Sequence, residues 1–220
     1  MSLTTAEENY LKAIFKISER SQKSASTNAI SRHLSTSAAS VTDMLKRLAE
    51  KKYINYERYK GVTLTSEGSK LATELIRKHR LWEVFLVKKL RFTWDQVHDI
   101  AEQLEHIKSD ELIMRLDAFL DYPKFDPHGD PIPNADGKFT LRNQTPLSDM
   151  HMGQKGSLVG VKEHHTEFLQ YLNTQNIKLG TEIDILGIMA FDKSMHLKID
   201  GKKEILITQQ VAHNLLIKKS

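Results

Sequence analysis

Cysteine is absent from all 220 residues of this chain. That excludes disulfides and thiolate ligands, and it suits a reducing cytoplasmic setting. Proline is scarce and clustered: four of five fall within "DYPKFDPHGDPIPNADGKF", a stretch that cannot continue a helix. No apolar run approaches the ~20 residues needed to span a bilayer, and the opening "MSLTTAEENYLKAI" has no apolar segment of the signal-peptide kind. With 27% charged residues and a mean hydropathy of −0.44, the composition is that of a soluble globular chain. Its length suits one large or two to three small domains.

The charge is uneven. Residues 1–70 carry 12 Lys and Arg against 7 Asp and Glu, whereas residues 71–145 carry 11 against 13. An N-terminal positive excess suits an anionic partner. There the segment "AEENYLKAIFKISER" has helical apolar spacing. It is followed by "STNAISRHLSTSAASVTDMLKRLAEKKYI", which predicts a short helix capped by Thr27, a small-residue turn, and a second helix from about Ala38 to Lys51. Ala29, Ile30, Leu34, Val41, Leu45 and Leu48 are the expected shared core. Next, "YINYERYKGVTLTSEG" alternates as a hairpin turning at Lys60-Gly61. Helix, turn, helix and hairpin in this order predict a winged helix-turn-helix that binds double-stranded DNA. The groove-facing stretch is Ser37, Ala39, Ser40, Thr42 and Asp43. Small and hydroxyl side chains there permit close approach and thymine-methyl contact, and Asp43 either accepts from cytosine or caps the turn. Arg58 and Lys60 at the wing tip are placed for phosphates.

Further on, "TSEGSKLATELIRKHRLWEVFLVKKL" reads as a long helix capped at Thr65 or Ser66. His79 and Glu83 share one of its faces. Its nearly continuous apolar run, Leu81 to Val87, implies burial on most sides and hence a twofold partner subunit. The following helix, "TWDQVHDIAEQLEHI", sets His98, Glu102, Glu105 and His106 in one polar stripe beside Val97, Ile100, Ala101, Leu104 and Ile107. Two imidazoles and two carboxylates together suit a divalent cation; the alternative is a solvated face. A shorter helix starts at Ser109. Beyond the proline-rich segment, with the ligand-type residues Asp126 and His128, lie a helix "TEFLQYLNTQ" and the alternating runs "GTEIDILGI", "MHLKID" and "KEILIT". These describe a small SH3-type barrel closed by a helical or extended "QQVAHNLLIKK". The expected class is a multidomain α+β protein: winged domain 1–70, helical domain 71–122, linker 123–145 and SH3-like domain 146–220.

With the helix-turn-helix, "RKHRLWEVFLVKKL" and "WDQVHDIAEQLEHIKSDE" in view, the chain resembles the diphtheria toxin repressor family of metal-dependent regulators over nearly its whole length. The resemblance implies a homodimeric repressor of metal-uptake genes, acting on a palindromic operator. It implies a primary metal site at Asn9, Glu102, Glu105 and His106. An ancillary site would use His79, Glu83 and His98, completed either by His164 and Glu167 or by Asp126 and His128. Iron-responding members resemble one another in carrying cysteine where this chain has Glu102, and manganese-responding members carry glutamate. Mn²⁺ is therefore the expected effector, with Fe²⁺ the alternative. Asn9 departs from the aspartate usual in the manganese branch, a lost charge that Glu8 or a water could replace. On this reading metal ties the N-terminal helix to the dimer core and shifts the population toward the DNA-competent form. Two other classes compete. A carboxylate-bridged metalloenzyme needs a second Glu-x-x-His helix, which the chain does not offer. A winged-helix regulator of an organic ligand would bind DNA regardless of chelator. No nucleophile sits beside a base, so catalysis is not expected.

Overall fold

The computed structural model describes residues 3–21, 23–57 and 60–220. The chain packs as two compact units, Met1–His79 with Glu102–Ile113 and Pro133–Lys138, and Arg80–Ala101 with Met114–Ile132 and Phe139–Ser220.

In the first unit, α1 (Thr5–Ser21) leads to α2 (Thr27–His33) and α3 (Ala38–Glu50). At about 100° per residue, Tyr10, Leu11 and Ile14 fall on one arc of α1 and Glu8, Asn9 and Lys12 on the opposite one. The apolar arc joins Ile30, Val41, Leu45 and Leu48 in one buried core. Leu34 packs against that core only partly buried, and Ala29 is half-buried. The cap of α2 is Ser26, whose side chain accepts from the Ala29 amide, so Thr27 is the first helical residue and not the cap. Ser37 caps α3, accepting from the Ser40 amide. Strands β1 (Ile54–Glu57) and β2 (Gly61–Leu64) pair antiparallel, and Ala25 bridges Val62 on the other edge. Gly61 turns the hairpin with φ +93°, and a Cβ there would lie 2.7 Å from the Ser24 hydroxyl. Leu45 is fully buried at the centre of this core. Leu45→Ala is expected to cost about 2–5 kcal/mol of stability, by lost transfer energy plus the cavity left behind, as read by chemical denaturation.

Helix α4 (Ser66–Lys88) is capped by Thr65, which accepts from the Gly68 amide at 3.1 Å. Leu81, Trp82, Val84 and Leu86 are buried within the single chain, so the apolar run does not by itself demand a partner. Between α4 and the end of α6 the large apolar side chains left exposed are instead Leu90, Phe92, Ile107, Leu112, Met114 and Phe119. The helix α5 (His98–Leu104) is shorter than its sequence pattern. Before it, the Gln96 side chain closes a turn onto the Thr93 amide, and Trp94 joins the barrel core. After Leu104 the backbone tightens, the Ile107 amide donating to Leu104 at 3.2 Å. Glu105 and His106 therefore stand in a turn, and the four stripe residues do not share one helix. Ser109 caps α6 (Asp110–Phe119).

The second unit is built on an antiparallel six-stranded sheet ordered β3-β8-β4-β5-β6-β7. Its strands are β3 (Thr145–Pro146), β4 (Lys155–Val161), β5 (Glu182–Ile188), β6 (Met195–Ile199), β7 (Lys203–Ile207) and β8 (Leu215–Lys219), with α7 (Thr166–Gln175) and α8 (Gln209–Asn214) between them. The closing segment is thus helical first and extended second. Alternating Leu158, Ile183, Ile185, Leu197, Ile207, Leu215 and Ile217 fill the core. Asp126 and His128 of the proline-rich stretch are buried, so this part of the expected linker is packed structure. Gly129 makes that possible: its φ is +90°, and a Cβ would lie 2.1 Å from the Val159 carbonyl oxygen. Among the described residues no helix is long and apolar enough to cross a membrane.

Candidate metal centres

The first candidate centre lies within the first unit, where the polar arc of α1 faces the end of α5. His106 Nδ1 is 2.6 Å from Glu8 Oε2. Glu105 is wholly buried and lies between them and α4: its Oε2 is 2.6 Å from His79 Nδ1, and its Oε1 is 3.8 Å from His106 Nε2. Asn9 Oδ1 is buried without a hydrogen-bond partner. A buried amide oxygen left unpaired costs free energy, so an orphaned acceptor on the arc of α1 that carries Glu8, whose carboxylate meets His106, fits a cation. The set contains oxygen and nitrogen donors only, which favours harder divalent ions.

Lys12 is the residue here that sequence reading passed over. Its ammonium, 5% exposed at the side chain, donates to Glu102 Oε1 at 2.6 Å and to Glu105 Oε2 and Oε1 at 2.6 and 2.9 Å. It also lies 3.3 Å from His79 Nδ1. One signal was available: Glu8 and Lys12 are four apart and share with Asn9 the arc opposite the core residues.

The second candidate centre lies in the second unit. Glu83, Asp126 and His128 bring a ligand atom each within 4.8 Å of one another, all three buried. His98 Nδ1 is 3.7 Å from Glu83 Oε1. The loop is built to aim them. Asp126 Oδ1 accepts from the His128 and Asp130 amides at 2.8 and 3.0 Å, and the His128 carbonyl accepts from the Val161 amide. His128 donates from Nε2 to the Trp94 carbonyl at 2.8 Å, which leaves Nδ1 pointing at Glu83 Oε2, 3.7 Å away. That Nδ1 is buried with no hydrogen-bond partner, so this set too fits a cation. His164 stacks on the His128 ring with centroids 4.6 Å apart.

The electrostatics separate the two imidazoles. Burial, reinforced by the charge of His128, lowers His164 to about 4, so it is neutral near pH 7. Burial also opposes charge on His128, but Glu83 and Asp126 outweigh it and raise the group to about 9. Burial pushes the Asp126 carboxyl up to about 7, with Asp130 and Glu83 adding to the effect.

The structure brings Glu102, Glu105 and His106 together with α1, and Glu83 together with His98, Asp126 and His128. His79 precedes Glu83 by one turn of α4, and its Nδ1 lies 2.6 Å from Glu105. Glu167 is exposed on the first turn of α7 and joins none of the clusters found among the described residues. On the recognition helix Ser37, Ala39, Ser40 and Asp43 are exposed and Thr42 is half-buried, its hydroxyl donating to the Ala38 carbonyl. Asp43 does not cap: it pairs with Lys46 at 3.4 Å. Lys60 is exposed at the wing tip, 2.7 Å from Glu57, and Arg58 lies outside the described residues.

A winged helix-turn-helix, two sets of cation-type donors and an SH3-like sheet define a metal-responsive DNA-binding protein. Residues 2–62 match the iron-dependent repressor N-terminal DNA-binding domain, residues 65–134 the iron-dependent repressor metal-binding and dimerisation domain, and residues 145–219 the FeoA domain. The chain is 30% identical to the diphtheria toxin repressor of Corynebacterium glutamicum over 196 residues, 84% of this chain and 85% of that one. It is 33% identical over 123 residues to the transcriptional regulator MntR of Oceanobacillus iheyensis, covering 56% of this chain and 82% of the relative. A manganese-dependent transcriptional repressor solved in complex with manganese superposes with TM-score 0.89 at 33% identity, over 97% of this chain and all of the other. ScaR with bound Zn²⁺ is similar at TM-score 0.77 and 34% identity, over 97% of this chain and 99% of that one. The chain belongs to the diphtheria toxin repressor family of metal-dependent, DNA-binding transcriptional repressors.

Proposed function

We propose that this protein is a Mn²⁺-activated repressor of metal-uptake genes, with Fe²⁺ as the competing effector, working in the cytoplasm as a homodimer on a palindromic operator. The observation that carries the reading is the orphaned Asn9 Oδ1 on the arc of α1 whose Glu8 lies 2.6 Å from His106, with Glu105 3.8 Å from the same imidazole, an all-oxygen-and-nitrogen set that spans α1 and the end of α5. Asn9, Glu102, Glu105 and His106 would hold the regulatory ion, with Glu8 restoring the charge that an aspartate at position 9 would have given. Glu83, His98, Asp126 and His128, with His164 beside them, would hold a second. The expected domains remain 1–70, 71–122, 123–145 and 146–220.

A bound divalent cation supplies concentrated positive charge that several donors can share. The chain's own residues turn that into regulation. Glu8 and Asn9 stand on the helix whose opposite arc packs the recognition-helix core, so fixing them fixes the winged domain. Glu102, Glu105 and His106 supply the anchoring side, and their carboxylates repel one another unless neutralised. Only the difference in affinity between the DNA-competent and other arrangements moves the equilibrium, and operator binding must tighten metal binding reciprocally. On DNA, Ser37, Ala39, Ser40, Thr42 and Asp43 approach bases, while Thr27 and Lys60, together with Arg58 as the sequence leads one to expect, meet the backbone.

The test is anaerobic fluorescence anisotropy on the gene's own upstream DNA with Mn²⁺, Fe²⁺ or chelator. We expect Mn²⁺ to tighten binding at least ~10-fold, about 1.4 kcal/mol. Equal affinity in all three conditions would sink metal control and favour a regulator of an organic ligand.

A further inference from the structure

We propose that the Lys12 ammonium is a resident cation of the first centre, which holds Glu102 and Glu105 for a single divalent ion and keeps a second ion out. This rests on the reading above that Asn9, Glu102, Glu105 and His106 bind metal.

Geometry comes first. His79, Glu102 and Glu105 form by themselves a cluster able to hold a metal ion, their ligand atoms within 4.8 Å of one another. Lys12 Nζ sits on that same cluster, with three carboxylate contacts of 2.6–2.9 Å and one imidazole contact of 3.3 Å. Two cations cannot share those atoms from the same side. A carboxylate has two oxygens and about four acceptor positions, so Glu102 and Glu105 can face Lys12 on one side and serve an ion on the other. His106 joins these carboxylates to α1, its Nε2 3.8 Å from Glu105 Oε1 and its Nδ1 2.6 Å from Glu8.

Charge supports the same count. Glu8, Glu102 and Glu105 carry three negative charges when ionised, and Lys12 with one divalent ion carries three positive ones. A second divalent ion beside the ammonium leaves an uncompensated excess in a site where Glu105 is wholly buried and Lys12 nearly so. Low-dielectric surroundings make such an excess costly. Lys12 is therefore a specificity-determining residue that sets how many ions the site takes.

The experiment counts manganese on the full-length protein by equilibrium dialysis with elemental analysis, alongside electron paramagnetic resonance. Wild type, Lys12→Met, Lys12→Gln, Lys12→Arg and His106→Ala are compared, each purified with Mn²⁺ present and checked by circular dichroism. We expect Lys12→Met and Lys12→Gln to hold one more ion per protomer than wild type and to show spin coupling between neighbouring ions. Lys12→Arg, which keeps the charge, is expected to keep the wild-type count. His106→Ala should lose one ion. An unchanged count in both neutral variants, with His106→Ala losing its ion, overturns the inference and leaves the proposed function standing. A His106→Ala protein with full wild-type metal content overturns both.

Discussion

Glu105→Leu is expected to melt about 10 °C below wild type when calorimetry is run with chelator. Glu105 is fully buried, accepts from Lys12 with both oxygens and lies 2.6 Å from His79 Nδ1. Removing it leaves the nearly buried ammonium with one carboxylate, Glu102, whose side chain is 34% exposed, and the His79 imidazole. Breaking a buried pair from one side typically costs about 3–5 kcal/mol, and each kcal/mol moves the midpoint of a chain this size by roughly 2–4 °C. The companion Lys12→Met/Glu105→Leu protein should recover most of the loss, because an apolar pair of similar volume carries no unpaired charge. A Glu105→Leu midpoint within 2 °C of wild type would show that solvent screens the pair despite its burial. The same variant should lose metal-enhanced DNA binding, since Glu105 belongs to the first centre.

Mn²⁺ affinity at the second centre should rise by about 100-fold or more from pH 6 to pH 8, measured on His106→Ala protein to silence the first centre. The sign follows from the shifted groups. His128 is raised to about 9 and Asp126 to about 7, so both hold protons at pH 6 that a ligating atom must shed. One proton displaced from His128 gives about tenfold per pH unit below 9, and Asp126 steepens the slope below 7. His164, lowered to about 4, is neutral throughout and contributes nothing. Calorimetric titration in two buffers of different ionisation enthalpy reads the released protons directly. A flat affinity across this range, with no proton release, would falsify the assignment of Asp126 and His128 as ligands.

Much of the winged fold was legible because it is written in local rules. Apolar spacing set α1 and α3, and Lys60-Gly61 set the hairpin turn. The errors were also local. Ser26 takes the α2 cap from Thr27 because its extended backbone points the hydroxyl at the Ala29 amide. Trp94 and Gln96 cut α5 short, since a core-filling indole and a side-chain-closed turn outweigh helical periodicity over 93–97.

The sequence by itself determined the donor chemistry, because a chain without cysteine and with Glu102, Glu105 and His106 in close succession offers only oxygen and nitrogen ligands. It also determined that His79 and Glu83 share a helix face, which spacing alone dictates. Tertiary structure decided how those donors are shared out. Helix α5 ends at Leu104, so His98 meets Glu83 while Glu105 and His106 turn toward α1. Gly129 admits the 126–130 loop against β4, which buries Asp126 and His128 beside Glu83 and leaves Glu167 in solvent. Lys12 shows the difference most plainly. On its own helix it is one more solvating lysine, and only the approach of residues 102 and 105, ninety positions along the chain, makes it a buried cation between two carboxylates.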